Sequence, residues 1–237
     1  MTGFTLASKV GCNSAEVTFT PHSSLERVLA LDGPAADKAY RAVLDSIVAG
    51  TVPAGTLLTE GRVAEAIGMS RTPVREAFLR LSNEGLLELY PKRGAIVTAP
   101  TAAEVDELLA VRAMFEKQAV AWMAAGAVPD GLEATLRGHL DAQAGAADSL
   151  EFARSDRALH EAIVAASGNS IAADLFAQTG PRLLRYWHEP AERAESRERL
   201  AAEHGELVDL VLAADAPGFA TALDAHMAGV RVGGTRR

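Results

Sequence analysis

A change of hydrophobic period near residue 100 constrains this chain more than any other feature. From Thr101 onward, apolar residues recur at helical spacing in one Ala-rich segment after another, with breaks at Gly126, Pro129, Gly168-Asn169, Pro190 and Pro217. The pattern predicts about six helices, over residues 101–125, 130–146, 148–166, 170–188, 195–213 and 216–230, with Pro181 kinking or splitting the fourth. Before Thr101 the pattern is mixed. Ala39, Val43 and Ile47 predict a helix over 35–49, stopped by Gly50 and Pro53-Ala54-Gly55. Two shorter helices are expected over 60–67 and 71–83, closed by Gly68 and Gly85. Leu86–Tyr90 and Ala95–Thr98 then read as strands around Pro91-Lys92-Arg93-Gly94, a hairpin with a basic tip. The fold class is therefore mostly α. A small helix–helix–helix–hairpin domain over 34–100 is joined to an all-α bundle over 101–231. A flexible extension over 1–33 and a short tail over 232–237 flank them.

Composition narrows the function classes. The 237 residues are 49% hydrophobic and 23% charged, which excludes a disordered chain and is enough for two modest cores. The single Cys12 excludes an internal disulfide and cysteine-based zinc sites. No apolar run approaches the roughly 18–20 residues of a membrane span. No basic-then-apolar leader opens the chain, so a cytoplasmic protein without a membrane partner is expected. The net charge of −8 would argue against nucleic acid if it were evenly spread. Residues 34–100, however, carry eight Lys/Arg against seven Asp/Glu, whereas residues 101–237 carry thirteen against twenty-one. The two parts face different partners.

The helix ending at Ile67, the Gly68-Met69-Ser70 corner and the helix from Arg71 make a helix-turn-helix pattern. Ser70 or Thr72 caps the second helix, and Pro73 falls in its first turn, where a missing N–H does no harm. Arg71 and Arg75 are four apart and project from one face near the positive helix end. That arrangement suits guanidinium pairing with guanine O6 and N7, while hydroxyls and amides hold phosphates. Lys92, Arg93 and Gly94 at the hairpin tip can reach the flanking backbone or minor groove, the glycine allowing close approach. The competing reading is a solvated helix face with two arginines, and spacing alone does not separate the two.

The residues 40–97 resemble the winged helix-turn-helix domain of GntR-type transcriptional regulators. The run Ser70-Arg-Thr-Pro-Val-Arg-Glu-Ala77 is the most specific part, supported by Pro53-Ala-Gly55, Glu84-Gly85-Leu86 and Arg93-Gly94. The resemblance implies that Ser70, Arg71, Thr72 and Arg75 contact operator DNA and that Arg93 and Gly94 contact it from the wing. Where some members place an Arg directly after the residue matching Glu60, this chain has Gly61 and then Arg62.

The third bundle helix carries Phe152, Asp156, Leu159, His160 and Ile163 on one stripe, so Asp156 and His160 point the same way, inward. His204 shares a stripe with Leu207, Val208 and Val211, and His226 with Phe219 and Leu223. Buried polar groups are costly unless paired or ligated. Three imidazoles and a carboxylate converging in a bundle form a shell suited to a divalent transition metal, zinc first, with nickel, iron and manganese also matching the donor set. A metal-free, hydrogen-bonded polar core is the other reading. His139 and His188 lack an apolar stripe and read as surface or helix-end residues. Arg112 falls on a buried stripe one turn before Glu116. It is either half of an intrahelical ion pair or an anchor for an effector carboxylate.

Residues 101–231 resemble the FCD effector domain of one GntR branch, through Leu109 to Glu116, Asp156-Arg-Ala-Leu-His160, Ser167-Gly-Asn169 and Asp224-Ala-His226. Metal-binding members of that branch use one Asp and three His, and the resemblance places these on Asp156, His160, His204 and His226. It implies a homodimeric, ligand-responsive regulator, a repressor in the commoner pattern, that reads a palindromic operator and senses a small carboxylic acid. The alternative from another class is a metal-dependent enzyme using the same Asp/His set, although neither a His-Glu-x-x-His nor a Gly-x-Ser-x-Gly motif occurs.

Overall fold

The computed structural model describes residues 19–184 and 194–234. Cys12, His188, Pro190, the expected helix end at 188 and the last three residues of the tail lie outside that range. The chain runs α1 (Leu25–Ala30), α2 (Ala35–Val48), β1 (Leu57–Leu58), α3 (Glu60–Ala66), α4 (Arg71–Asn83), β2 (Leu87–Tyr90) and β3 (Gly94–Val97). The bundle follows as α5 (Ala102–Ala125), α6 (Leu132–Ala144), α7 (Ser149–Ala165), α8 (Ser170–Ala177), α9 (Ala194–Leu212) and α10 (Ala216–Gly234). The molecule is mostly helical: a helix-turn-helix unit with a small sheet, then an all-helical domain.

In the first unit, α2 packs across α4 and buries Ala39, Val43 and Ile47 against Val74, Phe78 and Leu81. The sheet order is β1-β3-β2, antiparallel throughout, with Leu58 opposite Ala95 and Tyr90 opposite Gly94. Sequence pattern misses β1, because two residues are too few to show an alternation. Gly94 holds a φ of +118°, and a Cβ there would collide with the Leu58 carbonyl of β1. The hairpin's close approach to β1 therefore requires glycine at this position.

Side-chain caps set the starts of the bundle helices. Thr101, Asp148 and Asn169 accept from the backbone N–H of Glu104, Glu151 and Ala172 respectively. The helices then close a ring. α5 packs on α7, α7 on α6, α6 on α9, α9 on α10, and α10 back on α5, with α8 outside against α5 and α7. The expected fourth helix is split. α8 ends at Ala177, Thr179 N–H bonds to the Phe176 carbonyl, and helix resumes at Gly180, one residue before Pro181.

Residues 19–33 correct the expectation of a flexible extension. Phe19 and Val28 are buried, α1 packs on α2, and Ser24 Oγ donates to Asp45 Oδ2 at 2.7 Å. Six residues of helix show little period of their own, so only the tertiary contacts give α1 away. The same Asp45 carboxylate also accepts from Arg154 of α7, and Arg27 of α1 pairs with Glu151 of α7 at 2.7 Å. Two domains are thus joined by polar contacts centred on α1, α2 and α7.

Candidate metal centre and nucleic-acid interface

The helix ring brings four side chains to its axis. Asp156 and His160 come from α7, His204 from α9 and His226 from α10, and each is at most 2% exposed. One ligand-type atom from each lies within 4.8 Å of the others. His204 Nε2 stands 3.0 Å from Asp156 Oδ1 and 3.4 Å from His160 Nε2. All four residues that the sequence singles out converge.

What the sequence does not show is the layer that aims the rings. His160 donates Nδ1–H to Glu116 Oε2 at 2.6 Å, His204 to Gln143 Oε1 at 2.8 Å, and His226 to Glu203 Oε2 at 2.7 Å. With every Nδ1 taken up by an oxygen, the Nε2 atoms are the ones left for the centre, and each is a ligand atom where its ring is neutral. His160 Nε2 and His204 Nε2 stand 3.4 Å apart beside the Asp156 carboxylate, a spacing that a shared cation, whether a proton or a metal ion, would hold together. Asp156 Oδ2 is likewise buried without a hydrogen-bond partner among the described residues. The donor set therefore fits an ion, and this cluster could hold one. Outer partners of this kind fix ring orientation and raise ligand basicity. Gln143 is findable from the sequence, since it continues the Leu132, Leu136, Leu140 stripe of α6; Glu203 is not, because it acts on a different helix from its neighbour His204.

For Asp156, His160 and His226 the electrostatics favour the metal-ready protonation states. Burial works to raise the Asp156 pKa, but the adjacent His204 and His160 rings and Arg112 outweigh it and hold it well below the usual carboxylate range. Burial pushes His226 down to about 4, against the pull of Glu203, and depresses His160 in the same direction with help from Arg112. Ionised carboxylate and neutral imidazole are the forms that ligate. Arg112, 1% exposed, donates Nε–H to Glu116 Oε1 at 2.8 Å, so the predicted ion pair is present. It also walls a narrow cavity beside Asp156 and His160. His139 is half-buried on α6, away from the cluster.

On the first domain, Ser70, Arg71, Thr72, Arg75 and Arg93 are exposed and Gly94 is partly so. Arg71, Arg75, Lys92, Arg93 and Gly94 line one groove between the front of α4 and the hairpin. Ser70 and Thr72 stand at the helix start outside that groove. Ser70 takes the N-cap position of α4 but makes no side-chain cap bond. At Gly61 a Cβ would come within 3.3 Å of the Arg71 guanidinium, which lies over α3 at this point.

Two family descriptions match the chain, the FCD domain over residues 107–229 and the bacterial regulatory proteins of the gntR family over residues 35–97. The chain belongs to the GntR family, with an FCD C-terminal domain. An HTH-type transcriptional regulator of Streptomyces ambofaciens is 30% identical over 181 residues, covering 74% of this chain and 75% of that protein. Another, from Agrobacterium vitis, is 34% identical over 132 residues, 54% of this chain and 77% of the relative. In fold, a GntR structure from Rhodococcus sp. RHA1 superposes with a TM-score of 0.71 at 21% identity, covering 85% of this chain and 99% of that one. This GntR regulator is accordingly a DNA-binding transcriptional regulator with an effector domain, and the enzyme alternative falls with that assignment. No helix among its described residues is long and apolar enough to cross a membrane.

Proposed function

We propose that this GntR/FCD protein is a homodimeric repressor whose operator affinity is set by a small organic acid bound beside a divalent transition metal. Two α4 helices related by a two-fold axis would enter successive major grooves of a palindromic operator. Arg71 and Arg75 would read base edges, Ser70 and Thr72 would hold phosphates, and Arg93 and Gly94 would contact the flanking groove. Asp156, His160, His204 and His226 would hold the ion, zinc first among the candidates. When bound, that ion supplies a Lewis-acidic position for a ligand oxygen. Arg112 would steady the same carboxylate, with Glu116 fixing the guanidinium.

The observation that carries the metal reading is the inward convergence of three Nε2 atoms whose Nδ1 atoms are each already committed to an oxygen. Coupling has a physical route. α7 bears two of the four ligands and, through Arg154, the contact to Asp45 of α2, which lies across α4. Arg182, just beyond α8, donates to the Glu84 carbonyl at the end of α4 at 2.7 Å. A ligand shifts operator affinity only if it prefers one arrangement of these contacts over the other.

The decisive experiment is selection of bound duplexes from a random pool by metal-loaded protein, with and without simple organic acids. Enrichment of a palindrome that the acid weakens supports the reading, and indifference to every duplex removes it. In the same assay Arg112→Ala is expected to shrink the ratio of operator affinities measured without and with acid toward one. An undiminished ratio leaves Arg112 as an ion-pair partner only.

A further inference from the structure

α7 carries two i,i+4 pairs one residue out of phase. Asp156 and His160 face the ring axis. Arg157 and Glu161 lie on the next strip around the helix, joined by an ion pair at 2.6 Å. That strip matters because of what it separates. Arg157 and Glu161 line the narrow cavity shared with Arg112, Asp156 and His160, and they also line the much larger open cleft between the winged domain and the bundle. With Thr179, the pair thus forms the part of the wall that both spaces share.

Its construction is that of a movable wall. The two side chains are 27% and 31% exposed, so their attraction is screened and readily exchanged for another. The guanidinium lies over Gly180, where any Cβ would collide with it, and its other bond among the described residues is a long one to the Ala177 carbonyl at 3.5 Å. On the cleft side, Arg41 and Arg182 stand with Arg157, and Arg27, Arg80 and Arg154 join them already paired with Glu151, with Asp37 and Glu84, and with Asp45 respectively. Cations in a concave, partly apolar wall raise the local concentration of anions.

From these contacts we infer that Arg157 is a second anion anchor, so that the effector of this site carries two or more carboxylates. The inference rests on the carboxylate-effector reading of the metal centre. The cavity measures only about 10 Å³, so one carboxylate reaches the Asp156/His cluster and Arg112 as the Arg157–Glu161 pair parts. The second replaces Glu161 on Arg157, and Glu161 swings out to solvent. The exchange is carboxylate for carboxylate, so the charge balance at Arg157 is kept. A monoacid must part the same pair but puts nothing in the place of Glu161, so it gains nothing from Arg157.

The test is calorimetric titration of zinc-loaded full-length protein with linear diacids from malonate to adipate and with the matching monoacids. At least one diacid is expected to bind about tenfold or more tighter than any monoacid, the increment of one charge-assisted bidentate contact. Arg157→Met is expected to bring that ratio to about one. Glu161→Gln removes the competing carboxylate and is expected to raise diacid affinity about threefold or more, a gain no misfolded variant produces. Equal binding of diacids and monoacids, a preference that survives Arg157→Met, or no gain in Glu161→Gln overturns the second anchor. If no acid of either series binds, the carboxylate-effector reading itself fails.

Discussion

The groove between α4 and the hairpin and the buried cluster use the same small set of side chains in opposite surroundings. Arg75 is 74% exposed and meets Glu60 only at 4.0 Å, whereas Arg112 is 1% exposed and bonded to Glu116 at 2.8 Å. At the surface a guanidinium keeps its water and is free to be recruited by phosphate or a base edge, at the cost of screening by salt. In the core no charge survives unless its partners are already in place. Hence every ring of the Asp/His cluster has an assigned outer partner, while Arg75 at the front of α4 is held only by the long contact to Glu60. The groove is a loosely held hand; the buried cluster is a preorganised cage.

His204→Ala should give the largest effect on this contrast, because it removes a ligand and leaves Gln143 and Asp156 facing a hole. Metal content, measured by mass spectrometry on protein purified without chelator, should fall from about one ion per chain to almost none. Unchanged content would show that the cluster is a polar core and nothing more.

Next in size is the pH dependence of the metal-free protein. His226 is depressed from its ordinary value of 6.5 to about 4, so between these values the unfolded chain binds the proton and the folded one does not. Its contribution is therefore fully present above about pH 6.5 and is lost as pH falls through about 4, up to roughly 3 kcal/mol. The depressed Asp156 and Glu116 act in the same direction at lower pH. Denaturant midpoints that stay level from pH 7 to pH 4 would contradict a desolvated His226.

Arg71→Ala should weaken specific operator binding by about 1–3 kcal/mol at fixed salt while sparing metal content. An equal loss on operator and non-specific duplex would assign Arg71 to phosphate rather than to bases. The smallest effect is expected at the join between the two regions. Arg154→Ala cuts the α7–α2 contact, and the acid-induced change in operator affinity should shrink by about 1 kcal/mol. An unaltered response would route the coupling elsewhere, the Arg182–Glu84 contact being the alternative.

Much of this molecule is legible in its residues alone. The helix-turn-helix shows in Gly68, Pro73 and the four-residue spacing of Arg71 and Arg75, because local geometry sets turns and helix faces. The four cluster residues show as polar intrusions on apolar stripes. Less legible are β1 and α1, which are too short to carry a period, and the exact form of the break before Pro181, which a proline announces only as a kink or a split. Gly94 suits close approach to a nucleic-acid backbone, yet its first constraint is internal, against the Leu58 carbonyl.

Periodicity says that Asp156, His160, His204 and His226 each face inward, since the direction of a side chain on a helix follows from its place in the repeat. It does not say that they meet, or that Glu116, Gln143 and Glu203 hold the rings with Nε2 inward. Those facts depend on which helices neighbour one another around the ring and at what height. That order is fixed by packing between segments far apart along the chain, a property no local pattern encodes.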